Sequence, residues 1–133
     1  MSLNRRAAIL SLPVLLAACS GSGGGAQSTP QSLAAAVYDD LHAGEFAKIC
    51  DLVLPDARHR FADAGTDCQT YFGKKYNPSV RAGFADVKVD AKAVQVNGDT
   101  AVVPESALTF SGHPSSDGDV TVALRDGKWF VSS

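Results

Sequence analysis

The sequence lacks the patterns that mark several classes of protein. Its three cysteines and three histidines show no zinc-ligand spacing, and no Gly-x-Ser-x-Gly elbow is present. Asp117-Gly118-Asp119 offers too few oxygens for a calcium loop. The net charge is −2, whereas a nucleic-acid partner would require a basic patch. We therefore expect no metal, no cofactor and no nucleic acid.

Long hydrophobic runs are also missing, and the one apolar stretch stands at the start of the chain. Arg5 and Arg6 precede it, and it extends from Ala7 to Ala18. As a helix this stretch would reach about 18 Å, against a hydrocarbon core of roughly 30 Å. A basic segment followed by a short apolar one predicts a secretory signal rather than a membrane-spanning helix.

The end of the signal, Leu16-Ala17-Ala18-Cys19, resembles the lipobox of bacterial lipoproteins. In that family diacylglycerol is attached to the cysteine thiol and the preceding residues are removed. The resemblance implies a signal peptide at 1–18, then lipidated Cys19 and a flexible Gly/Ser tether over 19–29. It also implies export and anchoring to the bacterial membrane through Cys19, with the domain outside the cytoplasm. The alternative is a plain secreted protein in which Cys19 is incidental.

Cys50 and Cys68 remain as an even pair once Cys19 is used for lipid. An exported protein meets an oxidising environment, in which such a pair forms a disulfide. The bridge would join residues 18 positions apart, and both cysteines lie on apolar helical stripes. We therefore predict a structural disulfide, with two free buried thiols as the alternative.

The first half of the domain shows helical periodicity. A first helix is predicted to begin at Thr29-Pro30 and to end at Gly44, because a hydroxyl cap and a proline start helices and a glycine ends them. A second apolar stripe covers 46–53. A capping box at Thr66-x-x-Gln69 predicts the start of a third helix.

Beyond Pro78 the apolar residues alternate instead. The alternation over 87–91 changes parity at 94–96, which predicts a bulge near Ala93. Asn97-Gly98 and Asp126-Gly127 are hairpin turn signals. Residues 30–133 therefore predict one α+β domain, with N-terminal helices packed on a bent antiparallel sheet of about four strands.

Two short motifs resemble the nuclear transport factor two-like superfamily. Leu41 to Ala47 is similar to its helix–Ala-Gly-acid–helix junction, and Asp126-Gly127-Lys128-Trp129-Phe130-Val131 to the "D-G-x-W-x-V" final strand of small exported lipoproteins with that fold. The resemblance implies a cone, in which a bent sheet wraps around helices and encloses an apolar pocket. The expected pocket-lining residues are Val37, Tyr71, Phe72, Val103 and Trp129.

The superfamily contains ketosteroid isomerases and polyketide cyclases as well as non-catalytic binding domains. At the position of the isomerase tyrosine this chain has Val37, with Tyr38 one residue away, and Arg58-His59-Arg60 occupies the region of the general base. The core-facing positions of the predicted strands are all aliphatic and include no acidic residue. We therefore expect no catalytic residues and a non-enzymatic domain that binds an apolar small molecule or an envelope protein. The alternatives are an isomerase- or cyclase-type enzyme with relocated acids, and a structural accessory domain whose pocket is filled.

The lipobox generates a first prediction. Cys19→Ser should abolish labelling with a radioactive fatty acid and leave unprocessed precursor, because the hydroxyl does not replace the nucleophilic thiol. Cys50→Ser serves as the control and should keep the label. An intact mass showing a cleaved but unacylated Cys19 in the membrane fraction would contradict the prediction.

Overall fold

The computed structural model describes residues 25–114 and 117–132. The predicted signal peptide and Cys19 lie outside the described residues. The helices of the described part are α1 Pro30–Ala43, α2 Phe46–Asp51, α3 Pro55–Asp63, α4 Cys68–Lys75 and α5 Pro78–Arg81. The strands are β1 Lys88–Val89, β2 Gln95–Asn97, β3 Thr100–Val103, β4 Leu108–Thr109, β5 Val120–Arg125 and β6 Lys128–Val131.

The ends of α1 are those that the sequence predicts. The Thr29 side chain accepts a hydrogen bond from the backbone N–H of Ser32 at 3.1 Å. At the other end Gly44 has φ +75°, the left-handed conformation that glycine adopts most readily. Both signals act within one helical turn, which is why the sequence is sufficient to locate them.

The start of α4 differs from the prediction by one residue. Asp67, not Thr66, is the cap, because the Asp67 carboxylate accepts the N–H of Thr70 at 2.9 Å. That backbone hydrogen bond stabilises the ionised carboxylate and lowers the pKa of Asp67.

The main sheet is antiparallel, with strand order β2-β3-β5-β6, and β1 pairs with β4 in a separate two-stranded sheet. A 3₁₀ turn over Ala91–Ala93 separates β1 from β2, where the sequence predicts a bulge. The Asp90 carboxylate caps this turn by accepting the N–H of Lys92 at 3.0 Å. The change of parity therefore marks a passage between two sheets rather than a bulge in one strand.

The outer edge of β6 pairs with the helical half of the chain. Leu54 donates its N–H to the carbonyl of Val131 at 2.9 Å, and Val131 donates to the carbonyl of Leu52 at 2.7 Å. Trp129 donates to the carbonyl of Gln27 at 3.0 Å. We call the contact between Leu52–Leu54 and Val131 the seam. Gln27 belongs to the segment assigned to the tether, yet it contacts the domain.

The core lies between α1 and the main sheet. Leu33, Leu41, Val103 and Val122 are almost completely buried there. The predicted α+β class, with helices first and an antiparallel four-stranded sheet after them, is confirmed. Among the helices of the described residues, none has the length and hydropathy needed to cross a bilayer.

Cys50 and Cys68 form the predicted disulfide, with an S–S distance of 2.04 Å. Cys50 lies in α2 and Cys68 is the first residue of α4. The bridge therefore holds α2 and α4 together across the intervening helix α3.

The disulfide generates a second prediction. Cys68→Ala should lower the free energy of unfolding by about 3 kcal/mol, because the bridge restricts the unfolded chain. In a domain of this size each kcal/mol corresponds to about 4–8 °C in Tm. Reduction of the native protein should cause a comparable loss in thermal melts and should not affect the variant. Free Cys50 and Cys68 thiols in the folded protein, purified without reductant, would contradict the prediction.

Candidate functional site

A cavity of about 420 Å³ opens between the helices and the end of the main sheet. Buried apolar side chains form its floor: Val37, Leu41, Ile49, Val53, Ala57 and Val120. Exposed residues form its rim: Arg60, Ala64, Tyr71, Lys75, Asp117 and Asp119. This volume lies within the roughly 300–1,000 Å³ of typical small-molecule sites.

Aromatic rings form one wall of the cavity. The ring centroids of Phe61 and Tyr71 are 5.0 Å apart, those of Tyr71 and Phe72 are 5.4 Å apart, and those of Phe72 and Tyr76 are 6.1 Å apart. These spacings are typical of attractive aromatic pairs. We call these four residues the aromatic wall. It joins α3 to α4.

Two tyrosine hydroxyls meet one carboxylate at the cavity. Tyr76 Oη donates to Asp117 and lies 2.9 Å from each carboxylate oxygen, and Tyr38 Oη lies 3.4 Å from Asp117 Oδ2. Tyr38 is 2% exposed and Tyr76 is 5% exposed. Asp117 therefore supplies the acceptor that both buried phenols require.

Both phenols remain protonated well into the alkaline range. Burial is the main cause, since it disfavours the phenolate and raises the pKa of Tyr38 and of Tyr76. The negative charge of Asp117 raises both pKa values further. The two hydroxyls are therefore hydrogen-bond donors at neutral pH.

The two cations of the rim have contacts of their own. The Lys75 ammonium lies 5.3 Å from the ring centroid of Tyr76 and 5.9 Å from that of Tyr71. Arg60 Nη2 donates to the carbonyl of Ser132 at 2.7 Å. Within 25–114 and 117–132, no group of three or more His, Cys, Asp or Glu side chains is placed to hold a metal ion.

Three of the five predicted pocket residues line the cavity, namely Val37, Tyr71 and Phe72. Val103 and Trp129 do not belong to its lining. Val103 is fully buried in the core, where α1 packs on β3. Trp129 is also buried, and its backbone bonds to Gln27, which precedes α1.

Tyr38, Tyr76 and Asp117 belong to the site but were not predicted from the sequence. The strand stripes carry no acid, but the segment before β5 brings Asp117 to the cavity rim. Asp117 is 79 positions from Tyr38 and 41 from Tyr76. No local pattern connects residues so far apart. Tyr38 is the residue after Val37, the position that was compared with the isomerase tyrosine.

No family model and no curated protein matches this chain. Among solved structures, it is similar to a crystal structure from Campylobacter jejuni that is provisionally named an NTF2-like transpeptidase. The identity is 19%, the match covers 80% of this chain and 99% of that chain, and the TM-score is 0.46. The likeness carries no inference about reaction or ligand.

The buried phenols generate a third prediction, on alkaline stability. Their pKa values are raised above the usual value of about 10, so the folded state holds protons that the unfolded state loses above that pH. Below pH about 10 the phenols are protonated in both states, so they should cause no pH dependence of the free energy of unfolding. Above it, stability should fall by up to about 1.4 kcal/mol per pH unit for each phenol.

The Tyr71→Phe variant is suited to this measurement, because Tyr38 and Tyr76 are then the remaining tyrosines. Phenolate absorbance in this variant should rise only together with the loss of circular dichroism. Adding Tyr76→Phe should halve the slope of the free energy of unfolding against pH in the alkaline range. Ionisation of both phenols while the fold is intact would contradict the prediction.

Proposed function

We propose that this chain is an exported, lipid-anchored domain that binds an apolar small molecule and catalyses no reaction. The cavity of about 420 Å³ carries the proposal. Its floor is aliphatic and its wall is aromatic, so an apolar ligand would leave water on entering it. The proposed position is the outer side of a bacterial membrane, with the anchor at Cys19.

The concave shape of the site favours a small molecule over a protein partner. A protein would require a broad surface of roughly 800 Å² per partner, whereas this site is a concavity lined by α1, α3, α4 and the end of β6. The open volume also counts against a purely structural accessory domain, in which side chains would fill the interior.

An isomerase- or cyclase-type enzyme is the second candidate, and one observation favours it. Asp117 and its two phenols bring ionisable groups to an apolar cavity, as acid–base catalysis requires. However, both phenols donate to Asp117, so a substrate oxyanion would have to compete with that carboxylate for the same protons. We therefore place binding before catalysis.

Filling the cavity generates the fourth prediction. Val37 lines the floor, so Val37→Phe adds a phenyl group to the space that the ligand needs. Binding of the neutral fluorescent probe N-phenylnaphthylamine should weaken by at least roughly tenfold. The new phenyl group would keep an aromatic ring of the probe out of the cavity, so that the apolar surface of this ring would stay in water. Titration of the purified domain, with its fold checked by circular dichroism, measures the loss.

Val96→Phe is the matched control, because Val96 is 59% exposed on β2 and is not in the cavity lining. It should bind the probe as the native domain does. Equal binding by the two folded variants would contradict the proposal. Turnover of a ketosteroid-like substrate by the native domain, lost in Asp117→Asn, would show that the domain is an enzyme and would contradict the proposal.

A further inference from the structure

We propose that the cavity selects an amphiphile whose head group is a hydrogen-bond-donating cation, such as a primary ammonium, held by the Asp117 carboxylate. The inference rests on the proposed binding function and adds the chemical class of the ligand. The apolar tail would occupy the floor, and the head group would lie where Asp117 meets Tyr38 and Tyr76.

Asp117 has acceptor capacity beyond what the phenols use. A carboxylate offers about four lone-pair positions on its two oxygens. Tyr38 and Tyr76 each supply one phenolic proton. The remaining positions can accept N–H or O–H groups, but no carboxylate head group can fill them.

The ring faces beside Asp117 accept a positive charge. The Lys75 ammonium already lies over the rings of Tyr71 and Tyr76, where the quadrupole of each ring attracts a cation. Because Lys75 already uses the ring of Tyr76, the attraction for a ligand ammonium would come from the Asp117 carboxylate.

Both cations of the rim contact groups other than Asp117. Arg60 donates to the Ser132 carbonyl at 2.7 Å, and Lys75 is exposed at the rim. Asp117 is also exposed at the rim, but it is bonded to two cavity residues that are almost fully buried. Its charge therefore lies beside the apolar floor, where the tail of an amphiphile would end.

The test is displacement of N-phenylnaphthylamine from the native domain by decylamine, decanol and decanoate, each below its micellar concentration. The three share one tail and differ in the head group. Decylamine should displace the probe at a concentration at least roughly tenfold below that of decanoate, because a charge-assisted hydrogen bond is stronger than a neutral one. Decanol should lie between them.

Asp117→Asn is the decisive variant, since the amide keeps an oxygen for the phenols and removes the charge. It should reduce the preference for decylamine to within about threefold, while melting near the native temperature. Asp119→Asn makes the same change in charge on the same rim, where Asp119 accepts the N–H of Glu105. It should keep most of the preference.

The outcomes separate the two proposals. Failure of the native domain to bind the probe would refute the binding function and this inference with it. If the three amphiphiles displace a bound probe equally, or decanoate is the best, the cavity binds apolar molecules but the inference is wrong. An equal loss of preference in Asp117→Asn and Asp119→Asn would also overturn it, because the general charge of the rim would then select the ligand.

Discussion

The seam between Leu52–Leu54 and Val131 is the contact on which the domain depends. An open strand edge leaves backbone N–H and C=O groups unpaired, and here the helical half of the chain supplies their partners. The pairing also brings Val53 beside Val131 in a parallel bridge. Both residues line the cavity, so the contact that pairs the sheet edge also forms part of the lining of the site.

The disulfide acts on the same region from the other side. It joins α2 to α4 near the seam, and helix α3 lies within the chain segment that the bridge closes. Phe61 of α3 then meets Tyr71 and Phe72 of α4 in the aromatic wall. Phe61 and Phe72 are half-buried and Tyr71 is exposed, and of the three rings Phe72 also packs against the main core. Their position follows from the two constraints rather than from burial alone.

Asp117 combines a structural role with a chemical one. Two buried phenols would each lack a partner without it, and an unsatisfied buried polar group costs about 1–3 kcal/mol. The same carboxylate places a negative charge beside an apolar floor. A purely structural core could use apolar side chains at the positions of Asp117 and the two tyrosines. The presence of these polar groups therefore favours the proposed site for a polar head group.

The features that local residues decide are readable from the chain. The Thr29 cap, the Gly44 stop and the Asp126-Gly127 turn depend on neighbours within a few positions, and the turn has the positive φ angles of 51° and 78° that its residues predict. The pairing of Cys50 with Cys68 was predicted because the expected lipidation of Cys19 leaves these two cysteines. The order of helices and strands follows from the change in period.

The cavity was decided by tertiary contacts. The alternation of apolar residues shifts by one position near Ala93, and a bulge or a turn between two sheets would both produce this shift. Only the pairing of β1 with β4 shows that it is a turn between sheets. Val103 and Trp129 have the apolar character of pocket residues, but packing against α1 and pairing with Gln27 place them in the core. Asp117 meets Tyr38 and Tyr76 although it is 79 and 41 positions away from them in the chain. Contacts between residues so far apart depend on how the sheet packs against the helices, which no local pattern reveals.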